Sequence, residues 1–230
     1  MVRLQERPGA SSTRSGAVYE GLRKDILAGR LSPGSKLPFA ALAEKYECSM
    51  GSVREALQRL AEQGLVESIA QQGFRVVSIS VDDLVDLTAA RCEIETLALR
   101  YAIADGDVTW EGSAVAALHI LERIPQLDSE DPGRQSDDWA AAHDNFHLAL
   151  LRGCKNRRIL ATAIALRDAA ELYRRWSAPL HDRQRDISGE HRALLDAAVG
   201  RRADEAVEVL RGHIQRTTDK LLPALAETES

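Results

Sequence analysis

From residue 81 to residue 222 the chain shows no stretch in which apolar and polar residues alternate; apolar side chains instead return every three or four residues. Only helices that bury one face against one another satisfy that period over such a length. The periodic segments run over 81–104, 110–124, 136–151, 158–176, 187–199 and 203–222. They are punctuated by Pro125, Asp131-Pro132-Gly133, Gly153, Pro179 and Gly200, where turn-forming residues interrupt the pattern. Aromatic residues are only 4% of the chain, and abundant alanine and leucine favour helix-on-helix packing. The expected fold class is mainly α, with this stretch as an all-helical bundle.

The first third reads differently. Val18, Leu22 and Ile26 share one face of a short helix that Gly29 stops, and Pro33-Gly34 marks a turn. A second helix spans 39–46, and only Glu47, Cys48 and Ser49 separate it from a third. Ser49 is positioned as the N-cap of that third helix, whose buried stripe is Val53, Ala56, Leu57 and Leu60. Met50, Gly51, Arg54, Glu55, Gln58 and Arg59 are left facing outward. Gly64 closes the helix, and strand-length runs at 65–70 and 74–79 flank a hairpin turn at Gln71-Gln72-Gly73. Two helices joined by a tight turn and followed at once by a β-hairpin make a winged helix-turn-helix. Its second helix is shaped to enter a DNA major groove, and Arg75 on the wing is expected to reach a phosphate or the minor groove. The domain plan is an arm at 1–13, the winged module at 14–80, the helical domain at 81–222 and a tail at 223–230.

The net charge of −5 over 230 residues runs against DNA binding until it is divided along the chain. Residues 1–80 carry 11 basic against 8 acidic residues, which leaves 19 against 27 for the remainder. The basic surplus therefore sits where phosphate would be met. Cys48, Cys92 and Cys154 are odd in number and lack CxxC spacing, so neither a disulfide framework nor a cysteine zinc site is expected. No apolar run is long enough to cross a bilayer and the first residues lack a secretory core, so a cytoplasmic protein without membrane contact is expected.

The segments DILAGRLSPGSKLP, LAEKYECSMGSVREALQRLAEQGLV and QQGFRVV resemble the GntR-type transcription regulators over roughly residues 15–80. The resemblance implies operator binding through Arg54 and the wing residue Gly73. Ser49, Met50, Ser52, Arg54 and Arg59 together with Gly73 and Arg75 then form the DNA-reading surface. Met50 stands where the family often has arginine, and Phe39 where a small N-cap residue is usual. Further on, RCEIETLAL, FHLALLRGCKN and EHRALLDAAVGRRADEAVEVLRGHI resemble the FCD-type effector domain of the FadR branch. That implies control by a small organic acid. A homodimer on a pseudo-palindromic operator follows from the few base pairs one short helix can read.

His143 and His147 are one helical turn apart on one face. His191 and His213 are equidistant from a point beside Gly200, where two helices must reverse, so they come to the same height. Four imidazoles meeting in a bundle suit a divalent transition ion such as Zn or Ni. The family's usual aspartate ligand falls at His143, with Asp144 one step on, so either residue could complete the set with His147, His191 and His213. His119 and His181 match no ligand position. Arg91 resembles an effector-carboxylate ligand, with an i, i+4 ion pair to Glu95 as the alternative. Because His143 to His147 also echoes the HExxH helix of zinc proteases, a metal-dependent hydrolase is the rival reading, though Asp144 is shorter than the glutamate such chemistry uses.

Overall fold

The computed structural model describes residues 14–130, 135–177 and 185–228; the arm, the Asp131-Pro132-Gly133 turn, Pro179 and His181 lie outside them. The chain divides after Val77 into two compact units.

The first unit contains α1 (Arg14–Leu27), α2 (Phe39–Lys45), α3 (Met50–Glu62) and the antiparallel strands β1 (Val66–Ile69) and β2 (Gly73–Val76). Leu22, Ile26, Val53, Leu57, Leu60 and Leu65 are fully or almost fully buried, so the expected apolar stripes of α1 and α3 close on each other. The stretch after Pro33 has a role the sequence did not reveal: it lines the free edge of β2. Leu37 N donates to Phe74 O at 2.8 Å and Val76 N to Ser35 O at 3.0 Å, which ties the wing to the segment that leads into α2. At the hairpin tip Gln71 and Gly73 take φ values of +62° and +89°, and glycine meets that requirement without strain.

The second unit contains α4 (Val81–Asp105), α5 (Val108–Leu121), α6 (Asp137–Leu151), α7 (Arg157–Ser177), α8 (Ile187–Val199) and α9 (Ala203–Thr228). Helix α4 packs on α9, α7 and α6, while α5 lies across α6 and α8. Leu99, Phe146, Leu150, Leu194 and Ile214 form the centre of the core. Trp110 pins α5 to α6 by donating its indole N–H to the carbonyls of Ala149 and Leu150, each at 3.0 Å. Capping side chains fix several starts: Ser80, Asp107, Ser136 and Asp186 each accept a backbone N–H three residues on. The Asp107 cap starts α5 two residues before the periodicity did. Helix α9 continues through Pro223 to Thr228 instead of ending at Leu222. Leu225 is buried against Leu84, Tyr173 and Leu221, and that packing outweighs the missing proline N–H.

Within the first unit, one carboxylate joins α1 to the end of α2. Asp25 accepts from Arg30 Nε at 2.6 Å, Lys45 Nζ at 2.5 Å and the Tyr46 hydroxyl at 2.6 Å. Burial alone would raise this carboxyl, but the three donors outweigh it and hold it at about 2. An unfolded aspartate titrates near 3.9, so the stabilisation is complete above that pH and is lost as the pH falls toward 2. Thermal unfolding followed from pH 5 to pH 2 is expected to show this loss, and Asp25→Asn is expected to flatten it while lowering stability at neutral pH by about 1–3 kcal/mol.

Candidate functional site

The surface that the sequence assigns to DNA reading is the first turn of α3 and what surrounds it. Ser49 caps the helix, accepting Ser52 N at 3.1 Å, with its hydroxyl 3.0 Å from that of Ser52. Met50 is 61% exposed, an unusual state for so apolar a side chain, and a Cβ at Gly51 beside it would meet the Ser49 hydroxyl in ordinary contact at 3.6 Å. The Arg54 guanidinium lies over the ring of Phe39 at 5.1 Å, and Phe39 meets Phe74 of the wing edge-to-face at 5.9 Å. The unusual Phe39 thus connects the reading helix to β2. Two of the expected arginines also make contacts within the unit. Arg59 rests on the Tyr19 ring of α1 at 4.0 Å, and Arg75 donates to the Gly34 carbonyl at 3.0 Å. Arg75 is on the wing as expected, and its guanidinium spans from the Gly34 carbonyl to Gln72 Oε1 of the hairpin tip at 3.5 Å.

In the second unit α6 supplies His143 and His147, α8 supplies His191 and α9 supplies His213. All four are buried, with ring centroids 4.6 to 5.9 Å apart. One ring nitrogen from each lies within 4.8 Å of the other three. Burial is the largest cause that pushes all four below the usual histidine range, aided by the charge of neighbouring imidazole and guanidinium groups and opposed at His213 by its bond to Glu190; His143 and His147 also bond each other through their Nε2 atoms at 3.2 Å. His191 Nε2 is buried with no hydrogen-bond partner among the described residues. The Nδ1 of His213 bonds Glu190 at 2.8 Å, which leaves its Nε2 as the lone-pair nitrogen. An orphaned buried nitrogen inside a ring of neutral donors fits a soft-to-borderline divalent ion.

Asp144 is not part of that convergence. Its carboxylate is turned to Arg167 at 3.2 Å and Arg174 at 3.8 Å, so His143 is the α6 residue that joins His147. Arg91 is likewise not presented to a ligand: it is buried and bonds Glu95 at 2.6 Å, the ion-pair alternative. Glu95 is fully buried and also accepts Arg167 at 2.9 Å. Burial raises its carboxyl, but the two guanidinium groups more than reverse that and hold it below the ordinary range. His119 is exposed and accepts Arg123 Nε at 3.0 Å, outside the cluster.

A cavity of about 50 Å³ opens beside the histidines. His143 and His213 border it together with Trp139, Glu171, Arg174, Arg185 and Lys220. Three cations against one carboxylate give it a cationic lining. None of Arg174, Arg185 and Lys220 was singled out in the sequence. A signal exists for the first: Arg167, Glu171, Arg174 and Arg175 repeat at helical spacing on α7, and charges on an inward face must be partnered.

A winged reading head joined in one chain to a helical bundle with a buried polar site is the architecture of a DNA-binding transcription regulator. Residues 14–76 match the bacterial regulatory proteins of the gntR family and residues 86–216 match the FCD domain, so the chain belongs to the GntR family, in its FadR-like, FCD-containing branch. It is 39% identical over 200 residues to the uncharacterized HTH-type transcriptional regulator BphR of Paraburkholderia xenovorans (strain LB400), covering 86% of this chain and 81% of that protein. It is 32% identical over 200 residues to the HTH-type transcriptional repressor GlaR of Escherichia coli (strain K12), covering 85% and 90%. The solved structure of E. coli McbR/YncC shares the fold, with a TM-score of 0.73 at 19% identity over 96% of this chain and 100% of that one. These families and relatives are regulators, not enzymes, and the hydrolase reading has no support from them.

The Glu95 arrangement is costly to break on one side only. Glu95→Gln is expected to lower stability by about 3–5 kcal/mol in chemical denaturation, because Arg91 and Arg167 would stay buried without their counter-charge.

Proposed function

We propose that this protein is a cytoplasmic, homodimeric repressor whose operator affinity is set by a small carboxylic acid bound in the cavity beside the four histidines. The observation that carries the reading is the cavity itself: two histidine edges on one side, and Arg174, Arg185 and Lys220 around the rest. Arg174 and Arg185 are held by Glu171 and Glu190, so their guanidinium groups are already oriented for a carboxylate. Trp139, stacked on His143 at 4.7 Å, forms an apolar wall for the carbon chain.

His143, His147, His191 and His213 would hold a divalent transition ion, Zn or Ni by donor type. When bound it supplies a positive anchor for the acid. Glu190 keeps the His213 ring in register for that role. A ligand that draws Arg174 toward itself also draws on Glu171 and Asp144, and Asp144 shares Arg167 with Glu95 of α4. Since α4 is the helix that follows the wing in sequence, this charge chain is the route by which occupancy acts on DNA binding.

At the operator, Arg54 and the exposed Met50 are the side chains of α3 offered to the major groove. Arg54→Ala is expected to weaken operator binding by about 1–3 kcal/mol, read by fluorescence anisotropy at fixed salt. Elemental analysis of purified protein is expected to find close to one transition-metal ion per chain. His191→Ala should lose it, and Asp144→Ala should keep it. Screening small mono- and dicarboxylic acids for release from DNA should then find a response in the wild type that is absent in His191→Ala, with basal DNA binding intact. A metal-free preparation that still responds fully would overturn the mechanism.

A further inference from the structure

Over the first three turns of α3 the exposed residues are Met50, Gly51, Arg54, Glu55, Gln58 and Arg59. Two of these are engaged with α1: Glu55 accepts the Ser15 hydroxyl at 3.0 Å, and the Arg59 guanidinium lies over the Tyr19 ring. Met50, Arg54 and Gln58 follow one another by four residues, so they span only about 80° of the helix, and Gly51 beside them adds no side chain. Over these turns that outer face carries one cation, one amide, one thioether and no carboxylate. Met50 stands at its N-terminal end, on backbone held by the Ser49 cap and by Val53, which is fully buried three residues on.

The N-terminal residues of a helix lying in the major groove are those that reach base edges. A thioether is at best a weak hydrogen-bond acceptor and donates nothing. Every base presents nitrogen or oxygen groups in the major groove, and thymine adds an apolar one, its C5 methyl. Against a purine edge or a cytosine amino group, Met50 would strip water from polar atoms and return no strong bond. Against the thymine methyl, two apolar surfaces leave water together, and an unbranched, polarizable side chain can follow the methyl closely.

We infer that Met50 is a specificity-determining residue that selects a thymine in the operator through its C5 methyl group. This rests on the reading of α3 as the helix that enters the groove, and it assigns the base that the first turn of that helix prefers. Arg54 lies four residues, or about 6 Å, further along α3, close to the rise of two base pairs. The selected thymine therefore lies about two base pairs from the group that Arg54 meets.

The test uses the full chain and duplex DNA selected for tight binding from a random pool. Each thymine of the selected half-site is then replaced singly by uracil, which removes the methyl and keeps the hydrogen-bonding groups. One replacement is expected to weaken wild-type binding about fourfold, the effect of returning one methyl group to water, read by fluorescence anisotropy at fixed salt. Met50→Ala should bind the thymine duplex more weakly and be indifferent to that replacement, and Met50→Leu should keep the sensitivity. A merely structural role for Met50 would weaken all duplexes alike and leave the thymine-to-uracil ratio unchanged. A half-site without thymine, a ratio near one at every thymine in wild type, or a ratio that survives in Met50→Ala would overturn the methyl contact and leave α3 as the reading helix. Failure of the full chain to select any DNA sequence would overturn both.

Discussion

Glu95 ties three helices of the second unit to one another through buried charge, inside a core that apolar packing fills. It has no exposed surface, and it satisfies Arg91 on its own helix and Arg167 on α7 at once. Arg167 in turn reaches Asp144 on α6, so one anion at the centre fixes the relation of three helices. A carboxylate taken fully out of water is tolerable only with such partners, and their demand for geometry restricts how α4, α6 and α7 can slide. The histidines of α6 then face α8 and α9 at a height this network has set.

The same network separates two kinds of buried polarity. Around Glu95 and Asp144, acid and base are in direct contact. A short distance away, four imidazoles sit together as neutral donors, and His191 Nε2 has no hydrogen-bond partner among the described residues. Evolutionary economy alone would fill such a place with leucine, since an unsatisfied buried nitrogen costs free energy that packing does not return. The two kinds of polarity thus lie side by side in one bundle core, with the cationic cavity bordered by His143 and His213 next to them.

Much of this was legible in the residue order. The helical period, the tight turn before Ser49 and the hairpin after Gly64 defined both units, because local periodicity and capping depend on neighbours in sequence. The meeting of His143, His147, His191 and His213 was legible too, since helix spacing and distance from a turn are simple geometry. What sequence did not resolve depends on which of two partners a side chain chooses. Asp144 and His143 were equivalent on paper until Arg167 drew the carboxylate away. Arg91 and Arg174 both carry guanidinium groups, and only the fold shows Glu95 enclosing the first while the second borders the cavity. Arg75 was on the wing as expected, but its bond to Gly34 depends on an edge pairing that no local pattern announces.

Phe39 has a consequence for how the protein samples DNA. Its ring touches Phe74 of the wing on one side and carries Arg54 of the reading helix on the other. Wing and helix are thereby tied through one aromatic ring, and a change in their separation would have to break one of these two contacts. A protein head of that kind transfers the work of fitting to the nucleic acid. If both elements met DNA, groove width and bendability between them would enter what is recognised.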